Sequence, residues 1–189
     1  MSHILVERAF PEPRTLEDMI DKAPAPGHGC FGLYMVIFRV SFLATDGSRA
    51  VCCFEAPDAD SVRTPLRSMG VDVSMLWSGN THDAPALDQA TIASANVLVE
   101  RSFAQPVPFE SIAALAKANA SCLELHGAEF MRSYFARDGK RMLCLYRAPD
   151  AESVRSAQRA AQMPFDRVWA FDPVWPKNAA SRTSAVRAS

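Results

Sequence analysis

Ile4-Leu5-Val6-Glu7-Arg8-Ala9-Phe10 returns, almost residue for residue, as Val97-Leu98-Val99-Glu100-Arg101-Ser102-Phe103, an offset of 93 positions. Ala56-Pro57-Asp58-Ala59-Asp60-Ser61-Val62-Arg63 returns as Ala148-Pro149-Asp150-Ala151-Glu152-Ser153-Val154-Arg155, an offset of 92 that Trp77 and Trp169 share. Solenoid repeats have periods of roughly 20–50 residues, so this longer period reads as one small domain written twice, with one net deletion.

The second copy gives the clearer order of elements. Residues 97–103 are rich in β-branched and aromatic side chains, as a strand requires. After Pro106 and Pro108, the apolar residues Phe109, Ile112, Ala113, Ala116, Ala120 and Leu123 follow helical spacing up to a stop at Gly127. Residues 129–136 and 141–148 read as strands joined by a tight turn at Asp138-Gly139. Asp150 can cap a helix reaching about Gln162, and 168–171 close the unit as a fourth strand. The order βαββαβ is the ferredoxin-like pattern.

The first copy keeps the strands, including a turn at Asp46-Gly47, but Pro24, Pro26, Gly27 and Gly29 interrupt its first helix and Pro65 its second. The helices of 15–29 and 59–69 are therefore expected to be shorter or more bent than those of 109–126 and 151–162. A four-stranded sheet with helices on one face leaves the other face to be covered. The expected fold is thus α+β, with two ferredoxin-like βαββαβ units packed as an intramolecular pseudo-dimeric α/β barrel. Residues 1–78 form the first repeat, 79–96 a linker, 97–176 the second repeat and 177–189 a disordered tail.

Composition narrows the function classes. With 49% hydrophobic residues the chain can build a core, and a net charge of −1 gives no long-range pull toward nucleic acid or anionic lipid. No signal peptide and no apolar run approaching the ~18 residues of a spanning helix is visible, which predicts no membrane partner. Five cysteines, an odd number without paired metal-finger spacing, fit a reducing cytoplasm.

Strand alternation nominates a site. Glu100, Arg132, Tyr134, Cys144 and Tyr146 are expected to face the barrel interior, with Glu7, Val40, Phe42, Cys52 and Phe54 at the matching first-copy positions. One reading is a Glu100–Arg132 ion pair that fixes sheet register. The other is a ligand pocket of Glu100, Arg132, Tyr134, Cys144 and Tyr146 with Glu7 and Cys52, better developed in the second half. His3, His28, His82 and His126 lack metal-ligand spacing, and adjacent Cys52 and Cys53 point to opposite faces of a strand. No nucleophile triad, phosphate loop or dinucleotide fingerprint is present.

Through Leu98-Val99-Glu100-Arg101-Ser102-Phe103, Ser133-Tyr134, Cys144-Leu145-Tyr146-Arg147-Ala148-Pro149-Asp150 and Met163-Pro164-Phe165-Asp166-Arg167-Val168, the chain resembles a family of small bacterial proteins labelled nickel-binding-protein-like. The resemblance covers almost all of the second copy and, in the first, mainly 5–10 and 52–63. It implies units that pair as dimeric α/β barrels, and nickel as a cofactor. Family members often carry Glu-His in the second helix, where this chain has Ser156-Ala157 and Thr64-Pro65. Loss of that imidazole predicts weak or no specific nickel binding. The expected function is a small-ligand or metal-binding barrel, monomeric as a pseudo-dimer, with the cofactor unknown. A cofactor-light monooxygenase-like enzyme and a scaffold or regulatory protein without a small ligand are the alternatives.

Overall fold

The computed structural model describes residues 1–24 and 29–177. Pro26, Gly27, His28 and the expected tail at 178–189 lie outside the described residues. The fold is mixed α+β and divides into two units, Met1–Ser78 with 172–177 and Gly79–Phe171. The boundaries fall inside two strands.

The first unit runs β1 (Ser2–Ala9), α1 (Leu16–Asp21), α2 (Gly29–Leu33), β2 (Ile37–Ala44), β3 (Arg49–Ala56), α3 (Ala59–Ser68) and the start of β4 (Met75–Asp83). β3 lies between β1 and β2, both antiparallel to it. The second unit holds the end of β4, then α4 (Gln89–Ile92), β5 (Val97–Ser102), α5 (Phe109–Ala118), α6 (Ala120–Leu125), β6 (Glu129–Ala136), β7 (Arg141–Arg147), α7 (Ala151–Ala160) and, as far as Phe171, β8 (Arg167–Val174). Its strands lie in the order β8, β5, β7, β6, the 4-1-3-2 arrangement of the ferredoxin-like pattern. The stretch 79–96, read as a linker, is partly strand: Gly79–Asp83 pairs with 132–136 of β6. Among the described residues no helix is long and apolar enough to cross a membrane.

Local chemistry recurs at matching positions. Asp58 Oδ1 caps α3 by accepting from Ser61 N at 2.8 Å, and Asp150 Oδ1 caps α7 by accepting from Ser153 N at 2.7 Å. Trp77 Nε1 donates to Glu7, and Trp169 Nε1 to Glu100, both at 2.7 Å. Irregularities in strand register fall between Phe38 and Val40 and again between Phe130 and Arg132.

Two helix expectations need correction. α3 is ten residues long, as is α7, although Pro65 lies inside it. Proline removes the bond its own N–H would make to Ser61, but Met69 N still donates to the Pro65 carbonyl at 3.0 Å and the ring is fully buried. Conversely, the continuous helix expected over 109–126 is divided at Asn119, whose Nδ2 donates to the Leu115 carbonyl at 2.9 Å. An amide that satisfies a terminal carbonyl competes with helix continuation. The first helical region of the first unit is indeed short, six residues in α1 and five in α2.

Both hairpins depend on a glycine in the left-handed region, Gly47 at φ 71° and Gly139 at φ 69°. A Cβ on Gly47 would meet the Arg14 carbonyl oxygen at 2.5 Å, and one on Gly139 the Val107 oxygen at 2.9 Å. Gly47→Ala and Gly139→Ala should each destabilise the protein by at least about 1 kcal/mol in urea unfolding, the former more, because steric overlap adds to backbone strain. Unchanged midpoints would contradict this account of the turns.

Candidate functional site

Directly opposed residues on antiparallel strands share a face, so the register sorts the candidate residues. In the second unit Val97 faces Tyr146, Val99 faces Cys144, and Arg101 faces Met142. All but Arg101 belong to the apolar core packed against Ile112, Val154 and Ala161 from the helices. Cys144 and Tyr146 therefore lie on the helix-covered face, away from Glu100. Arg101 shares that face and is only 3% exposed.

Glu100, Arg132 and Tyr134 are on the opposite face, but the expected Glu100–Arg132 pair is replaced by two others. Glu100 accepts from Trp169 Nε1 at 2.7 Å and Arg167 Nη1 at 3.1 Å. Arg132 donates to both Asp83 carboxylate oxygens, at 2.5 and 2.8 Å. β4 supplies Asp83 at the position directly opposite Arg132. Tyr134 is buried opposite Leu143. In the first unit Glu7 faces Val51, whereas Cys52 faces Val6 and belongs to the core with Ile4 and Phe54. The predicted set is thus divided between two sheet faces in each unit.

The helix-covered face carries polar groups that were not nominated. Arg101 Nη1 donates to Cys144 Sγ at 3.1 Å and Nη2 to Gln158 Oε1 at 2.5 Å. Gln158 Nε2 in turn donates to the Tyr146 hydroxyl at 3.3 Å. Burial pushes the Cys144 thiol up and the Tyr146 phenol up to about 12, so both stay protonated at neutral pH. Among the described residues no carboxylate pairs with Arg101, and neither its Nε nor Ser133 Oγ has a partner.

Arg8, Cys52 and Ser41 occupy the matching positions of the first unit, and there the region is open. A cavity of about 550 Å³ lies between the sheet and the helices, lined by these three residues with Phe31, Phe54 and Leu66 among its apolar walls. The Cys52 thiol is raised by burial and has Ser41 and Arg8 as hydrogen-bonding neighbours. Arg8 Nε donates to the Asp72 carbonyl at 3.1 Å. The Arg8 and Arg14 guanidinium carbons lie 4.9 and 5.9 Å from the Phe10 ring centroid, so one ring steadies two cations. Lys22 adds a third cation to the lining and Asp18 an anion. Such a site can accept an anionic head at its basic side and an apolar body between its walls.

Alternation alone could have found Arg8 and Arg101. Each stands two residues after a core valine, Val6 or Val99, that lies opposite the repeated cysteine.

Residues 98–170 match the family model described as "Nickel responsive protein SCO4226-like". No curated protein matches the chain. Among solved structures, "Putative Chlorite dismutase TA0507" is similar at 10% identity and TM-score 0.53, covering 96% of this chain and 98% of that one. An anthrone oxidase-like protein is also similar at 10% identity and TM-score 0.49, covering 92% of each chain. The first likeness shows a shared fold. Among the described residues no group of three or more His, Cys, Asp or Glu side chains could hold a metal ion. The donor set there does not fit the nickel of the family description.

His82, without a visible partner in the sequence, stacks on Phe109 with centroids 3.5 Å apart and planes 12° apart. Burial lowers its pKa from the ordinary value of about 6.5. The unfolded chain then binds the proton more readily, so this contribution is present above about pH 6.5 and is lost as pH falls. Thermal unfolding should show a decline between about pH 7 and pH 5 that His82→Phe flattens. An identical slope in the variant would exclude His82 as its source.

Proposed function

We propose that the protein binds a small organic anion in the cavity of the first unit. The observation that carries this reading is a cavity of about 550 Å³ that places Arg8, Arg14 and Lys22 beside aromatic and aliphatic walls. Its size lies within the roughly 300–1,000 Å³ usual for small-molecule sites. We also propose that the chain is a tandem duplication whose two ferredoxin-like units fill the roles of the two subunits of a dimeric α/β barrel. The recurrent Glu–Trp bonds and helix caps support this reading. Five free thiols support a reducing compartment such as the cytoplasm. The proposed site differs from the second-half pocket expected from sequence, and of that earlier set it keeps Cys52.

8-Anilino-1-naphthalenesulfonate is a suitable probe, and N-phenyl-1-naphthylamine has the same body without the charge. Fluorescence titration should show saturable binding of the sulfonate that Arg8→Gln weakens about tenfold or more, since a charge-assisted hydrogen bond contributes ~1.5–3 kcal/mol. The uncharged analogue should bind more weakly and respond little to the substitution. Equal binding of both compounds, or an unaffected Arg8→Gln variant, would contradict an anion site.

A further inference from the structure

The two units carry the same arginine, cysteine and serine, yet among the described residues only Arg101 has a side-chain oxygen as acceptor, whereas Arg8 has the Asp72 main-chain carbonyl at 3.1 Å. In the second unit, Gln158 Oε1 accepts from Arg101 Nη2 at 2.5 Å, and Tyr146 holds the other end of that amide at 3.3 Å. Gln158 is the eighth residue after the capping Asp150, and Leu66 is the eighth after Asp58. Phe54 stands 92 positions before Tyr146 and supplies no hydroxyl. The first unit has therefore kept the cation while both members of the internal acceptor pair are apolar.

Both replacements line the cavity, together with Arg8, Cys52 and Ser41. Among the described residues no carboxylate is in ion-pair distance of Arg8. Arg8 is half-buried, and beyond the Nε–H that meets the Asp72 carbonyl its guanidinium has further N–H donors that a ligand oxygen in the cavity can accept from. We propose that a ligand oxygen occupies beside Arg8 the place that Gln158 Oε1 occupies beside Arg101, so that the second unit is the same site closed by its own side chain. Because Leu66 and Phe54 flank that place, the ligand is an apolar carboxylic acid, its carboxylate at Arg8 and its hydrocarbon part among the aromatic walls. A polyol or sugar phosphate would leave its hydroxyl groups unpaired there. This inference rests on the first-unit cavity being a binding site.

2-Naphthoate, titrated calorimetrically into the full chain, provides the test. Leu66→Gln with Phe54→Tyr installs the internal acceptor pair of the second unit and should weaken binding by at least about tenfold, because the guanidinium is then already satisfied. Leu66→Met, which conserves volume without adding an acceptor, should keep the affinity within about threefold. Far-UV circular dichroism and the thermal midpoint establish that each variant is folded. Leu66→Gln alone should show the same loss and serves if the double variant does not fold. Undiminished binding in the folded double variant or in folded Leu66→Gln would overturn the inference and leave the cavity reading standing. Loss equal in Leu66→Met and the double variant would also overturn it, by assigning the effect to shape. Failure of the unsubstituted protein to bind either 2-naphthoate or the anilinonaphthalenesulfonate would overturn both readings.

Discussion

A guanidinium on the helix-covered face of a sheet must be given acceptors, and that requirement organises much of the chemistry of this chain. Arg101 is buried, and an unpaired buried charge is so unfavourable that its surroundings must provide compensation, whereas the half-buried Arg8 is under a weaker demand. In the second unit the compensation is internal: a thiol, a glutamine and, through the glutamine, a tyrosine hydroxyl form a connected set around Arg101. In the first unit Arg8 has a cysteine, a main-chain carbonyl and an aromatic ring, and the remaining donors border a cavity. The proposed division of labour follows from this difference, with the Nη groups of Arg101 satisfied within one unit, though its Nε has no partner, and the other unit receptive.

Much of the architecture was legible because stretches of sequence recur at an offset of 92 or 93 positions and show the same elements twice. The succession of strands, the hairpin glycines and the capping Asp150 all followed from residue type and spacing. Helix continuity was harder to read, because it depended on single hydrogen bonds. Pro65 removes one backbone donor and the helix around it still packs its ring into the core. Asn119 offers its side chain to the Leu115 carbonyl and divides a helix whose apolar spacing runs straight through it.

The site was only partly legible. Alternation correctly placed Glu100 opposite in direction to Val97 and Val99, but assigning Cys144 and Tyr146 to the Glu100 face required strand register. The cross-strand pairs Val99–Cys144 and Val97–Tyr146 supply that register and reverse the assignment. The apparent Glu100–Arg132 partnership failed for a related reason. Asp83 and Trp169 arrive from β4 and β8, and no local pattern indicates that they reach these residues first. Cavities are harder still, and what distinguishes the proposed site from its counterpart is the absence of a polar side chain at Leu66 and Phe54, both of which line the cavity. Such an absence is informative only beside the copy that has one.

Methyl NMR of protein labelled at its methionines offers the most direct test of the division between a receptive and a self-satisfied unit. Met19 and Met69 border the first-unit cavity or line it, whereas Met142 and Met163 belong to the core of the second unit. On titration with 2-naphthoate, the account predicts saturable shifts of the Met19 and Met69 methyl signals, with Met142 and Met163 unmoved. Shifts confined to Met142 and Met163 would contradict it.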